Sequence, residues 1–266
     1  MSHSLPYTVN CSLLFTELPL HQRPAAARES GFDAVEFWWP FESAAPGDAE
    51  VDAFVASVEN AGVRLTGLNL FAGRLPGPDR GVLSHPDRVQ EVRDNLDVVA
   101  GIAERTGTTA FNALYGLRQE GVDPAEHDET AMQNVLAAAK ALEPVGGTVL
   151  IEPISGSADY PLITAADGRA FVSAAAKAGA ANVALLADLY HLAVNGDDVA
   201  AVVRDHAAEF GHIQIADAPG RGEPGTGQLP LMDLLAAAQE GGYHGHVGLE
   251  YKPTVATADS FGRLRS

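Results

Sequence analysis

Residues 147–253 carry one pattern four times: GTVLIEP at 147–153, NVALLADLYH at 182–191, GHIQIAD at 211–217 and HVGLEYKP at 246–253. Each is a short apolar run that ends on an oxygen-bearing side chain, namely Glu152, Asp188, Gln214 and Glu250. The intervals between these residues are 36, 26 and 36 positions, each room for one strand and one covering helix. Successive side chains of a strand point to opposite faces. Two-residue steps back from the four oxygen donors meet Leu150 and Thr148, Leu186 and Ala184, His212, and Gly248 and His246. The other face carries Val149, Ile151, Leu185, Leu189, Ile213, Ile215, Val247 and Leu249, all large and apolar, as a face packed on helices should be. The four oxygen donors therefore point together into the opposite space.

Working outward, YTVNCSLLF (7–15), AVEFWW (34–39), LTGLNLFA (65–72) and TAFNALYG (109–116) read as four more strands. Ala-rich segments with helical periodicity lie between the strands, at 25–31, 49–62, 86–107, 129–147, 165–180, 197–211 and 229–242. Several close on a glycine that suits a left-handed C-cap: Gly31, Gly62, Gly107, Gly179 and Gly241. Eight strands alternating with seven or eight helices predict an α/β protein, a single (β/α)8 TIM barrel over residues 1–266. A doubly wound open sheet is the rival, weakened because no Gly-rich phosphate loop follows the first strand. Two loops rich in Gly and Pro, 71–85 and 217–230, should sit at the barrel's C-terminal face, where active sites form.

Composition excludes several classes of function. There are 17 Lys and Arg against 35 Asp and Glu, a net charge of −18, so a basic face that neutralises nucleic-acid phosphates is not expected. Cys11 is the sole cysteine, which rules out an internal disulfide and a thiolate metal cluster. A basic segment followed by an apolar run is missing from MSHSLPYTVN, and no stretch of about 18 apolar residues occurs. The expected location is cytoplasmic, with no membrane partner.

Three converging carboxylates repel one another and lose hydration. A divalent metal resolves this, and three carboxylates with an amide oxygen form a hard set suited to Mg²⁺ or Mn²⁺. Glu152, Asp188, Gln214 and Glu250 are the expected ligands. His191 could hydrogen-bond a substrate hydroxyl or carbonyl, and Arg221 could pair with a substrate carboxylate. Glu36 shares a face with Ala34 and points inward, either to touch substrate or to orient an Arg or His. Trp38, Trp39 and Phe15 are candidate pocket walls, and His85 and His127 read as surface residues.

At these residues the chain resembles the hydroxypyruvate isomerase family within the xylose isomerase-like TIM barrels. The resemblance runs nearly the whole length and is most specific in residues 13–40 (LLFTELPLHQRPAAARESGFDAVEFWWP) and in GLEYKP. It implies one divalent metal held by Glu152, Asp188, Gln214 and Glu250, with Glu152 and Glu250 moving the proton and His191 and Arg221 holding substrate. The family often reads RHEPGTGE where this chain reads RGEPGTGQ, so Gly222 and Gln228 replace a His and a Glu. The segment LNLFAGRLPGPDRG also departs from the family's usual Asn- and Asp-containing loop.

The expected reaction interconverts hydroxypyruvate, or a related 2-oxo acid, and its semialdehyde through a cis-enediolate. A ketose 3-epimerase acting on a longer sugar would use the same residues, and a cyclic-polyol dehydratase is a third enzyme class. A non-catalytic sugar-acid-binding barrel would not need two glutamates. A DNA-repair endonuclease would want more His ligands and a basic groove. Barrels of this group often pair, which leaves a homo-oligomer open.

Overall fold

A computed structural model describes residues 3–265; residues 1, 2 and 266 of the expected domain lie outside them. Eight strands form one closed parallel barrel in sequence order: β1 (Tyr7–Asn10), β2 (Ala34–Phe37), β3 (Arg64–Asn69), β4 (Ala110–Asn112), β5 (Thr148–Ile151), β6 (Val183–Asp188), β7 (Phe210–Ile215) and β8 (Val247–Leu249). Closure comes from β8 pairing with β1, Tyr7 opposite Val247 and Val9 opposite Leu249. The outer positions Val149, Ile151, Leu185, Ile213, Ile215, Val247 and Leu249 are all buried under the helices, as the period-two pattern predicts.

Among the described residues eight α-helices surround the barrel: α1 (Arg23–Glu29), α2 (Asp48–Ala61), α3 (Val89–Thr106), α4 (Pro124–Leu142), α5 (Ala165–Lys177), α6 (Leu189–Val194), α7 (Val199–His206) and α8 (Leu231–Glu240). Their distribution is uneven. Both α6 and α7 follow β6, while among the described residues β8 is followed only by short 3₁₀ turns. Helix α4 begins at Pro124, earlier than the apolar period suggests, because Asp123 caps it by accepting a hydrogen bond from Ala125 N (2.9 Å). Gly62 and Gly107 take the left-handed C-cap. At the end of α8, Gly241 has φ −74°, and Gly242 takes the positive φ instead. No helix among the described residues is long and apolar enough to cross a membrane.

The strands are shorter than their apolar runs. After Asn10 the chain turns, since Asn10 Oδ1 accepts from Ser12 N (3.1 Å) and Asn10 O from Leu14 N (2.9 Å). After Asp188 the expected strand end, Leu189 and Tyr190, is helical. The Asp188 carboxylate accepts from Tyr190 N (2.8 Å) and His191 N (3.3 Å), which makes it an N-cap.

The barrel's interior is unusual at its centre. Between Val35 and Glu36 the β2–β3 register slips, so that Glu36 faces Gly67. A Cβ on Gly248 would stand 2.6 Å from Glu36 Oε1, and one on Gly67 would stand 3.2 Å from Glu36 Cβ. Two glycines thus make the space in which a buried carboxylate sits. The histidines expected at the surface are buried as well. His127, on α4, accepts from Gln119 N (3.1 Å) and lies 3.2 Å from Ser84 Oγ, while His85 lies 2.9 Å from Leu117 O. The 71–85 loop folds back over α4, where Asn134 Nδ2 donates to Leu83 O (2.8 Å), and this covers both rings.

Candidate active site

A cavity of about 310 Å³ opens at the C-terminal ends of the strands. Glu152, His191, Glu250 and Asn69 line it, with Trp38 and Arg221 beside them and Arg80 and Lys252 also on its wall. A larger hollow of about 660 Å³ lies at the opposite end of the barrel, near Tyr7, Asp33 and Arg64, and contains no comparable set of converging side chains.

Glu152 follows β5 directly and is buried. Asn112, at the end of β4, donates through Nδ2 to Glu152 Oε2 at 2.6 Å. Burial first, and then the Asp188 carboxylate, push the Glu152 carboxyl up to about 8. Glu250 follows β8. Its Oε1 accepts from Trp38 Nε1 (2.8 Å) and Arg221 Nη2 (3.2 Å). Burial raises the Glu250 carboxyl well above the ordinary carboxylate range; Glu152 and Asp188 add to the rise and Arg221 opposes it. Strands β5 and β8 are not neighbours, so the two glutamates reach the cavity from different sides of the barrel.

Asp188 ends β6, and Gln214, one residue before the end of β7, stands in register with it. Asp188 uses Oδ1 to cap α6, while its Oδ2 is buried without a hydrogen-bond partner. Gln214 donates through Nε2 to Glu36 Oε1 (2.8 Å), and its Oε1 is likewise buried and unpartnered. His191 Nδ1 lies 3.0 Å from Ser155 N and 2.7 Å from Ser155 Oγ. A backbone N–H can only donate, so Nδ1 is the acceptor and the proton of the neutral ring is on Nε2. Burial lowers the His191 pKa to about 4, with Asp188 opposing and Arg221 reinforcing the shift. The ring is therefore neutral at pH 7, with Nε2–H 3.6 Å from Asp188 Oδ2.

Arg221 occupies a strained backbone position, φ 60°. Its O accepts from Lys252 N (2.7 Å), and its guanidinium lies over the Tyr190 ring. Nη2 reaches Glu250 Oε1 and also comes within 3.7 Å of Asp188 Oδ2. One cation thus bridges two of the buried acids. The loop that carries it is shaped by two acids outside the cavity. Asp217 accepts from Gly225 N (2.7 Å), Leu229 N (3.0 Å) and Ala218 N (2.9 Å). Glu223 accepts from Thr254 N (2.9 Å) and Thr254 Oγ1 (2.6 Å).

The structure thus places Glu152, His191, Arg221 and Glu250 on one cavity wall, with Asp188 buried next to His191 and Arg221 and Gln214 in register beside it. Glu36 is not on the cavity wall; its carboxylate is turned to Asn10, His212 and Gln214 beneath it. Trp38 lines the cavity, but Trp39 donates to Ser43 O (2.8 Å) and Phe15 packs on Phe261. Asn112, Asn69, Ser155, Arg80 and Lys252 were not singled out from sequence. The signal for Asn112 and Asn69 was available, since each is the last residue of its strand.

Glu152, Asp188 and His191 each bring one donor atom within 4.8 Å of the others. In the tautomer set by Ser155, however, His191 Nε2 carries a proton and donates. The two orphaned buried oxygens, Asp188 Oδ2 and Gln214 Oε1, are atoms of the kind a hard divalent cation satisfies. The chemistry of the residues present fits such an ion.

Residues 24–266 match the family model described as xylose isomerase-like TIM barrel. The chain is similar to a Streptomyces coelicolor protein named "Putative hydroxypyruvate isomerase", with 53% identity over 252 residues, 93% of this chain and 90% of that one. It is 33% identical over 262 residues to a 2-oxo-tetronate isomerase of Cupriavidus necator, 97% of each chain. Among solved structures it is similar to one from Brucella melitensis described as AP endonuclease, family 2, with a TM-score of 0.89, 29% identity and 98% of each chain covered. Matched along nearly its whole length, and carrying the strand-end acids its sequence pattern predicted, the chain belongs to the hydroxypyruvate isomerase family of enzymes, within the xylose isomerase-like TIM barrels.

Proposed function

We propose that this chain interconverts hydroxypyruvate, or a related 2-oxo acid, and the corresponding semialdehyde by moving a proton between adjacent carbons. The observation that carries this reading is a pair of buried glutamates, Glu152 and Glu250, that line one cavity from non-adjacent strands, the carboxyls of both raised above the ordinary carboxylate range. One glutamate takes a proton from the hydroxyl-bearing carbon, leaving a cis-enediolate. The other delivers a proton to the former carbonyl carbon, and the hydroxyl proton passes to the neighbouring oxygen. Asn112 fixes the Glu152 carboxylate and Trp38 fixes that of Glu250, so each oxygen is held where it is needed. His191 presents Nε2–H to a substrate oxygen as a neutral donor. Glu152, Asp188, Gln214 and Glu250 would hold one divalent cation, Mg²⁺ or Mn²⁺, which polarises the substrate's oxygens and acidifies the C–H between them.

Arg221, with Arg80 and Lys252 on the same wall, suits a carboxylate-bearing substrate better than a neutral sugar, which disfavours the ketose 3-epimerase reading. The cavity is roomier than a three-carbon acid needs, which favours a four-carbon 2-oxo acid as the second candidate substrate. With 35 acidic against 17 basic residues the chain lacks the field that gathers a phosphate backbone, which disfavours an endonuclease reading.

The test is solvent-deuterium exchange into hydroxypyruvate with Mn²⁺ present. The native protein should wash deuterium into the hydroxymethyl carbon, and E152Q and E250Q should each lose that exchange. Exchange at the native rate in both variants would overturn the mechanism. Tight binding without exchange by the native chain would instead identify a passive binder. Rates on hydroxypyruvate against 2-oxo-tetronate then choose the chain length.

A further inference from the structure

Gln214 presents two ends of nearly equal shape and opposite chemistry. Its Oε1 can ligate a cation and its NH₂ cannot. Beside the buried Asp188 carboxylate, an unconstrained glutamine would turn its NH₂ toward that negative charge, which is the wrong end for metal binding. Something must hold the amide the other way round.

We propose that Glu36 is a positioning residue that sets the direction of the Gln214 amide, so that Oε1 rather than Nε2 is offered beside Asp188. Ser12 N–H donates to Asn10 Oδ1 (3.1 Å), which leaves Asn10 Nδ2 to donate to Glu36 Oε1 (3.0 Å). An ionised carboxylate can only accept. Glu36 Oε1 therefore admits only the NH₂ end of Gln214, at 2.8 Å, while Oε2 faces His212 Nε2 at 2.7 Å. With Asn10 Nδ2 donating to it, Oε1 is already an acceptor, and Oε2 is engaged by the His212 ring. The room for this carboxylate comes from Gly67 and Gly248. The relay Ser12–Asn10–Glu36–Gln214 thus transmits the polarity of one peptide group to the orphaned Oε1 of Gln214. Removing such an outer-shell partner typically weakens metal binding 10–100-fold.

The inference rests on the metal-dependent reading above, and its test separates the two. Mn²⁺ binding is followed from the electron paramagnetic resonance signal of the free ion, with no substrate present. Circular dichroism checks folding of the native chain, E36Q, Q214E and the double variant E36Q/Q214E. In E36Q the new amide can pair with either end of Gln214, so Mn²⁺ binding should weaken by about 10–100-fold. Q214E alone sets two carboxylates against each other and should also bind weakly. In the double variant the amide at 36 donates to the carboxylate at 214, both of whose oxygens can ligate, so binding should return to within about fivefold of native. Asn10 and His212 lose the same partner in E36Q and in the double variant, so the recovery reports on position 214 alone. Native affinity in E36Q, or a double variant no tighter than E36Q, would overturn the inference while leaving the metal reading standing. If either single variant does not fold, the double variant decides: near-native Mn²⁺ binding supports the relay, and loss of binding overturns it. Failure of the native chain to bind Mn²⁺ would sink the metal reading, and this inference with it.

Discussion

Glu36 and Glu250 are equally buried, each 3% exposed, yet the protein treats them in opposite ways. In the barrel's centre Glu36 meets three side-chain donors and its carboxyl is lowered. At the mouth Glu250 has Trp38 and Arg221, but it shares its surroundings with Glu152 and Asp188, and its carboxyl is raised. Depth alone does not decide whether a carboxyl is charged; what surrounds it at that depth does. The centre is a satisfied network that fixes geometry, whereas the mouth is an excess of negative charge held close together, ready for a proton or a cation.

The comparison breaks most sharply in turnover. E152Q and E250Q should each lower kcat by about 10²–10⁴-fold, measured as semialdehyde formation, while metal-free E250Q unfolds in urea no earlier than native at pH 8. E36Q should instead cost about 2 kcal/mol of metal-free stability. If E250Q proved the more destabilising of the two, the contrast between centre and mouth would be wrong.

The next largest effect concerns pH. Glu152 has an ordinary value of 4.5 in the unfolded chain and about 8 in the fold. Below 4.5 both states hold the proton. Between those values only the unfolded chain has released it, so stability falls as pH rises through that window and levels off above it. The urea midpoint of the metal-free protein should therefore drop from pH 5 to pH 8, with Glu250 acting in the same direction, and E152Q should flatten the slope. A midpoint that rises over this range would contradict the crowding of acids at the mouth.

A Cβ at position 248 would intrude on Glu36 Oε1 and on Gln214 Cγ at 2.8 Å. G248A should accordingly cost about 1–3 kcal/mol by overpacking, although nothing polar is removed. Smallest is the effect at the rim, where Lys252 is exposed on the cavity wall. K252M should raise KM for hydroxypyruvate by about 5–10-fold and leave kcat within about twofold of native. An unchanged KM would assign the substrate's carboxylate to Arg221 and Arg80 alone.

Much of this arrangement could be read from the chain itself, because strand alternation is a strong constraint. Four oxygen donors at matched strand ends, with uniformly apolar neighbours, place themselves on one side of the sheet. The same two-residue step applied to β3 and β4 reaches Asn69 and Asn112. What the pattern could not give was the point at which each strand stops. Asp188 ends β6 because its own carboxylate caps the next helix, and propensity continues the strand through Leu189. Nor could it show that His85 and His127 are buried, since a loop folding back over α4 leaves no period in the sequence. The function of Glu36 was similarly hidden: its inward direction was legible, but its partners Asn10 and His212 lie 26 and 176 positions away.

The loop that holds Arg221 has a consequence for how the family can diverge. Asp217 gathers three main-chain amides and Glu223 fastens the segment to Thr254, so the path of the chain is dictated by two acids outside the cavity. Gly222 and Gln228 lie within that frame without supplying its side-chain anchors. A side chain at 222 would run into Thr226 Oγ1, so change there must be answered at Thr226, whereas the exposed position 228 is free to retune the rim while the arginine keeps its address.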